Sequence, residues 1–170
     1  MVINFLRENI YASYAFLALR LYLGWAWLEA GWKKIAGGDF DASGFLQGAL
    51  KKASGDRPAV QSWWADFIDG FALPNVGLFN ILVPWGEFLV GLGLILGCFT
   101  TFAVLMGMIM NFSYLFSGTT STNPQMVLFG MIILIAGINA GKIGLDRWVI
   151  PFINKQILKK EEQENLPQSA

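Results

Sequence analysis

Histidine is absent from this chain of 170 residues, and cysteine occurs once, as Cys98. Without histidine there is no bis-His haem ligation, no His-containing zinc site and no imidazole general base. A lone cysteine cannot form an internal disulfide, a CxxC redox pair or a cysteine-ligated cluster. No GxGxxG follows a strand and no Walker sequence is present. Haem, metal and flavin are therefore not expected here. Electrons passing through this protein would need a diffusible carrier or a partner to bring them.

Charge is also scarce. Charged residues make up 14% of the chain, and none lies between Phe88 and Gly141. Lys+Arg and Asp+Glu balance at 12 each, so no net field points to nucleic acid. What remains is 55% apolar with a mean hydropathy of +0.50, the profile of a small integral membrane protein.

A membrane-crossing helix needs about 20 mostly apolar residues. Four segments qualify, at residues 14–35, 76–97, 100–117 and 124–142. The first carries Arg20, Glu29 and a Trp-rich end instead of a cleavage site, and reads as a retained helix. Short connections at Gly97–Thr100 and Gly118–Pro124 force antiparallel neighbours. The expected fold is an all-α, antiparallel four-helix membrane bundle, one domain over residues 1–160 with a polar tail at 161–170. The long first loop should contain an amphipathic helix at about 59–72. There Val60, Trp63, Trp64, Phe67, Ile68 and Phe71 share a face that would lie in the membrane interface. The plainer alternative is a lid packed on the bundle. Arg7, Lys142, Arg147 and Lys155 flank the outermost spans, which favours a multi-pass protein of the cell membrane with cytoplasmic termini.

Ionisable groups inside such segments mark candidate chemistry, because each costs roughly 2.5–3.5 kcal/mol at mid-membrane. Arg20, Glu29 and Glu87 are those groups. Arg20 shares a helix side with Gly24, Trp27, Leu28 and Gly31, with Lys34 nearby, and Glu87 is its expected partner. Glu29 lies opposite and forms an i,i+4 pair with Lys33. Glu87 follows Pro84, and a carboxylate beside a proline-freed carbonyl suits proton exchange. A structural ion pair with Arg20 is the equal alternative. Asn111 and Tyr114 share a face of the third segment, where Asn111 reads first as interhelical glue. The methionines read as core filler.

The runs Arg20-Leu-x-Leu-Gly24-x-x-Trp27-Leu28-x-x-Gly31-x-x-Lys34 and Glu87-x-x-x-Gly91-x-Gly93-x-x-x-Gly97-x-x-Thr100 resemble the DoxX/DoxD family of small membrane proteins. So do the loop Ser117–Pro124 and Gly141-Lys-Ile-Gly144-Leu-Asp146-Arg147-Trp148. The resemblance implies a four-helix membrane bundle. Its DoxD branch implies the membrane subunit of a thiosulfate:quinone oxidoreductase, with a membrane quinone as cofactor and a second redox subunit as partner. On that reading Glu87 and Arg20 are the catalytic candidates, and Trp27, Asn111 and Tyr114 would bind the quinone head. Lys33, Lys34, Thr120 and Asn123 would receive the anion. Two other readings stay open: a non-catalytic anchor or scaffold for a peripheral redox protein, and, with less support, a small transporter. The bilayer and a second copy of the chain complete the expected partners.

Overall fold

The computed structural model describes residues 2–164. The chain is all-helical, with no strand among the described residues. A short α1 (Val2–Glu8) leads into the longest helix, α2 (Ile10–Gly37). Asn9 starts α2 by accepting a hydrogen bond from the Tyr11 N–H at 2.8 Å, and Gly38 ends it at φ 73°. Residues 39–75 then form two helical pieces, α3 (Ser43–Lys52) and α4 (Ser62–Phe67), the latter continuing as a π-helical turn over Ile68–Ala72. The apolar helices α5 (Val76–Leu96), α6 (Thr100–Phe116) and α7 (Asn123–Ala136) follow. A short α8 (Ile138–Gly141) and α9 (Asp146–Glu164) complete the order.

Most expected segments match these helices closely. The fourth does not, because Gly137 adopts φ 57°, ψ −130° and breaks it into α7 and α8. Of the expected polar tail, residues 161–164 belong to α9, and residues 165–170 lie outside the described part. Among the described residues one helix, α5, is long and apolar enough to cross a membrane; α6 and α7 are shorter apolar helices.

The tightest pairing is α2 against α5. Gly24 meets Gly91 and Ile95, Gly31 meets Pro84 and Phe88, and Gly91 meets Leu28, in each case so closely that a Cβ would strike backbone. Small residues allow this approach, and the close backbone packing is what holds such helices together when their surroundings are apolar. Next to it, α6 packs on α5, α7 on α6, and both α7 and α8 on α2. The central core contains Phe16, Leu23, Trp27, Val90, Leu94, Val104 and Ile133.

The molecule therefore has two ends. One, the lid end, gathers Lys34, the start of α5, the end of α6 and the start of α7. The other gathers α1, α8, the α5–α6 turn and the start of α9. Residues 39–75 cover the lid end and have a core of their own, with Ala42, Leu46, Ala49, Val60, Ile68 and Ala72 buried. Trp64 Nε1 donates to Ser117 Oγ at 2.9 Å, Lys52 Nζ to the Gly118 carbonyl at 2.9 Å, and the Ala42 N–H to Asn80 Oδ1 at 2.8 Å. The expected single face of α4 is thus split. Ile68 points into the lid core, whereas Trp63, Phe67 and Phe71 are exposed. Those exposed rings form an aromatic cluster with Phe79 and Phe116.

Candidate functional site

Glu87 projects from the inner side of α5 one turn beyond Pro84, and only 2% of it is exposed. The α2–α5 contact at Gly31 sets what faces it, since Lys34 stands one turn further along α2. Lys34 Nζ reaches Glu87 Oε2 at 2.5 Å. From α6, the Tyr114 hydroxyl donates to Oε1 at 2.7 Å. Both oxygens of a buried carboxylate are thus held by charged or phenolic donors, the arrangement that makes such burial tolerable. The lid forms the roof: the Phe45 ring lies edge-on to Tyr114 at 5.8 Å, and Phe40 lies under Lys34 Nζ at 5.7 Å. The Lys34 side chain keeps 27% of its surface exposed against 3% for Glu87. Lys34 is therefore the link between the buried carboxylate and the outside.

The expected Arg20–Glu87 pair does not form. Arg20 meets Gly97, ten residues along α5 from Glu87, or ~15 Å of helix rise. Antiparallel register is the reason: the start of α2 must face the end of α5. Arg20 is completely buried at the other end, where Nη1 donates to the Ala140 carbonyl at 2.6 Å and Nη2 to the Ile143 carbonyl at 2.7 Å. Its nearby acidic charge is Asp146. Asp146 in turn accepts the N–H groups of Phe99 at 2.6 Å and Thr100 at 2.9 Å, capping α6. Backbone bonds from Leu145 to Leu96 and from Asp146 to Gly97 close the knot. Arg20 is a tie between helices, placed away from Glu87.

Lys33 lies on the outward side of α2 and pairs with Glu29 at 2.6 Å, as their spacing predicts. Beside this pair, Trp25, Leu28, Trp32 and Phe88 line an open groove of about 390 Å³. The Trp32 and Phe88 rings stand 6.1 Å apart. The expected anion site is not assembled. Each lysine is already paired with a carboxylate, Thr120 is exposed, and Asn123 donates to the Thr119 carbonyl at 3.0 Å. No hydrogen bond joins Lys33 or Lys34 to Thr120 or Asn123.

The expected quinone residues are divided as well. Trp27 and Asn111 do come together, around a cavity between α2, α5, α6 and α7 with Leu23, Leu94 and Gly107. Its volume of about 10 Å³ suits one water and excludes a quinone ring. Tyr114 belongs to the Glu87 cluster instead. The open groove beside Trp32 and Phe88 is far larger, its volume within the usual range for ligand sites. Among the described residues no three His, Cys, Asp or Glu side chains gather as a metal set. Outside the helical body, Asp41 Oδ1 accepts the Ser43 N–H at 3.0 Å and the Ser43 hydroxyl at 2.8 Å. Chiefly the backbone bond, then the hydroxyl, holds its carboxyl below the ordinary 3.8.

Sequence reasoning missed Lys34 as the partner of Glu87 and Asp146 as the charge beside Arg20. The first was legible, because an antiparallel hairpin places the end of one helix opposite the start of the next. The second was not, since it depends on the fold of residues 137–146.

Comparison with known proteins bears out the family resemblance. The DoxX family model matches residues 15–119, which include Arg20, Lys34, Glu87, Asn111 and Tyr114. No curated protein and no solved structure matches.

Proposed function

The chain belongs to the DoxX family, whose members are membrane-associated, and from that premise we propose that it is the membrane subunit of a quinone-linked oxidoreductase acting on a sulfur compound such as thiosulfate. The observation that carries this reading is the Lys34–Glu87–Tyr114 cluster: a buried carboxylate with two proton-bearing partners and one exposed outlet. Joining two thiosulfates as tetrathionate releases two electrons and no proton, whereas reducing a quinone consumes two of each. The protons must come from the protein or from water. Glu87 is placed to hold one, and Lys34 to renew it from outside. The groove beside Trp32 and Phe88 would hold the ring, with the Glu29–Lys33 pair supplying polar groups at its edge. Arg20 falls outside this scheme. We assign the sulfur chemistry and the electron entry to a second subunit.

In the same reading α2, α5, α6 and the broken α7–α8 unit form four antiparallel membrane spans. The inside-out surface of the helices supports this. Leu78, Ile81, Leu82, Trp85, Leu89, Ile109, Leu128 and Ile132 are all exposed on helices, far more apolar surface than water tolerates on a monomer. Trp63, Phe67 and Phe71 would then sit at one interface. Exposed Arg7, Lys142, Arg147 and Lys155 at the other end support cytoplasmic termini.

A second reading, a non-catalytic scaffold, is favoured by the completeness of the Glu87 cluster, which leaves neither carboxylate oxygen without a donor. One experiment separates the two. The protein, purified with its partner subunit, is given thiosulfate and a soluble quinone analogue, and quinone absorbance is followed. We expect reduction that falls on the order of 10²–10⁴-fold in Glu87→Gln, the usual span for losing an acid–base group. No quinone reduction with the partner present, or an unchanged rate in Glu87→Gln, refutes the catalytic reading.

A further inference from the structure

We infer that α9, from its start through Leu158, lies along the membrane interface and recognises anionic phospholipid headgroups, with Arg147 and Lys155 on the phosphates and Trp148 and Phe152 at the acyl boundary. The height at which this helix starts is fixed. The N–H groups of Leu145 and Asp146 donate to the Leu96 and Gly97 carbonyls at the end of α5, and the Asp146 carboxylate caps α6. Thus α9 leaves the body at the α5–α6 turn, the level at which two spans of the proposed bundle end. Beyond that point little protein covers it. Trp148 and Phe152 are each 63% exposed, and Ile157 and Leu158 more than half. Most helices owe their stability to burial of an apolar face, and the bilayer boundary is the apolar medium at this height.

Charge names the occupant. The exposed ionisable residues of this stretch are Arg147 and Lys155, with Lys142 just before it. Its acid, Asp146, is buried and engaged in the α6 cap. The Arg147 guanidinium stands 5.7 Å from the Trp148 ring, so a cation and an indole share one level, as they do where helices meet headgroups. At the lid end the exposed rings of Trp63, Phe67 and Phe71 are interleaved along the chain with exposed Asp66 and Asp69 instead. The two aromatic surfaces differ in sign, and a negative leaflet attracts α9 but not the lid. Near such a leaflet each basic residue shifts the seating equilibrium about fivefold, and two shift it about thirtyfold. The inference rests on the membrane placement proposed above and on none of its redox chemistry.

Spin labels test it in the full chain carrying Cys98→Ser, held in nanodiscs of phosphatidylcholine alone or mixed equally with phosphatidylglycerol. One label is attached at Phe152→Cys and, in a separate sample, another at Leu89→Cys on the exposed side of α5. Accessibility to oxygen against a water-soluble nickel chelate gives the depth of each. The Leu89 label should be deep in both lipids. The Phe152 label should be seated at the interface when phosphatidylglycerol is present, and Arg147→Gln with Lys155→Gln should cut its seated-to-free ratio about thirtyfold. A Phe152 label in water beside a deep Leu89 label overturns the inference and leaves the membrane bundle standing; a Leu89 label in water overturns both. Equal seating in the two lipids also overturns it, as does a Phe152 label shielded from oxygen and nickel alike by another protein surface. Should Cys98→Ser fail to fold, bromine-labelled phosphatidylglycerol decides: quenching of Trp148, taken as the difference between the parent and Trp148→Phe, supports the inference, and its absence overturns it.

Discussion

Removing the charge of Glu87 tests the lid-end cluster quantitatively. Glu87→Gln keeps the shape and one carbonyl oxygen, so the side chain still fits between Lys34 and Tyr114. It makes the Tyr114 bond neutral and leaves Lys34 donating to an amide oxygen instead of a carboxylate. Hydrogen bonds to charged groups contribute about 1.5–3 kcal/mol and neutral ones about 0.5–1.5, so the Tyr114 bond loses about 1–1.5 kcal/mol and the lost ion pair adds to it. Lys34 limits the loss. With 27% of its side chain exposed, it can swing toward water and recover hydration, which a fully buried partner could not do. About 2 kcal/mol is therefore the expectation. For a chain of this size that corresponds to a melting temperature lower by about 4–8 °C. Thermal unfolding in one detergent, followed by circular dichroism, reads it for the parent, Glu87→Gln, Lys34→Met and the double variant. A direct ion pair predicts a double variant less destabilised than the sum of the singles, by about 1–2 kcal/mol. Strict additivity would mean that Lys34 and Glu87 do not interact, and the site described above would be wrong.

Three further outcomes follow from the packing. Gly31→Ala places a methyl against the Phe88 and Pro84 backbone; neither can yield, so a loss of at least 1–3 kcal/mol should appear in the same melts, and a neutral result would refute the close α2–α5 crossing. Arg20→Met should destabilise by about 2–5 kcal/mol, because the Ala140 and Ile143 carbonyls would lose their donors, about 1–3 kcal/mol for each buried group left unpaired; a neutral result would refute the tie. Asp41 caps the lid, and its folded carboxyl lies below the ordinary 3.8. Its contribution is present above that value and lost as pH falls through the lowered one, so protease cleavage within residues 39–75 should rise below about pH 4 in the parent and be high at neutral pH in Asp41→Ala.

Most helices and two of the three buried charges, Arg20 and Glu87, were legible in the sequence, for physical reasons tied to particular residues. Runs without charge between Phe88 and Gly141 could only be apolar helices, and Gly97 and Pro124 marked their turns. The Glu29–Lys33 pair followed from four-residue spacing alone. The helix α3 was missed although Asp41 precedes it and accepts from Ser43, its first residue, and Leu46 and Ala49 share a face. Its apolar stripe is short and its lysines gave it the look of a loop. The break at Gly137 was hidden because a glycine near a helix end reads equally well as a packing residue.

What the sequence alone determined is local: which stretches are helical, which faces are apolar, and that Arg20 and Glu87 cannot face an apolar exterior. Partnership was decided by tertiary structure. The glycines at 24, 31 and 91 let α2 and α5 touch at one register, and that register sent Glu87 to Lys34 and Tyr114 while leaving Arg20 for Ala140, Ile143 and the charge of Asp146. A helical pattern fixes the side on which a charge lies. Its height against a neighbouring helix is set by where two backbones can come close, and no single helix carries that information.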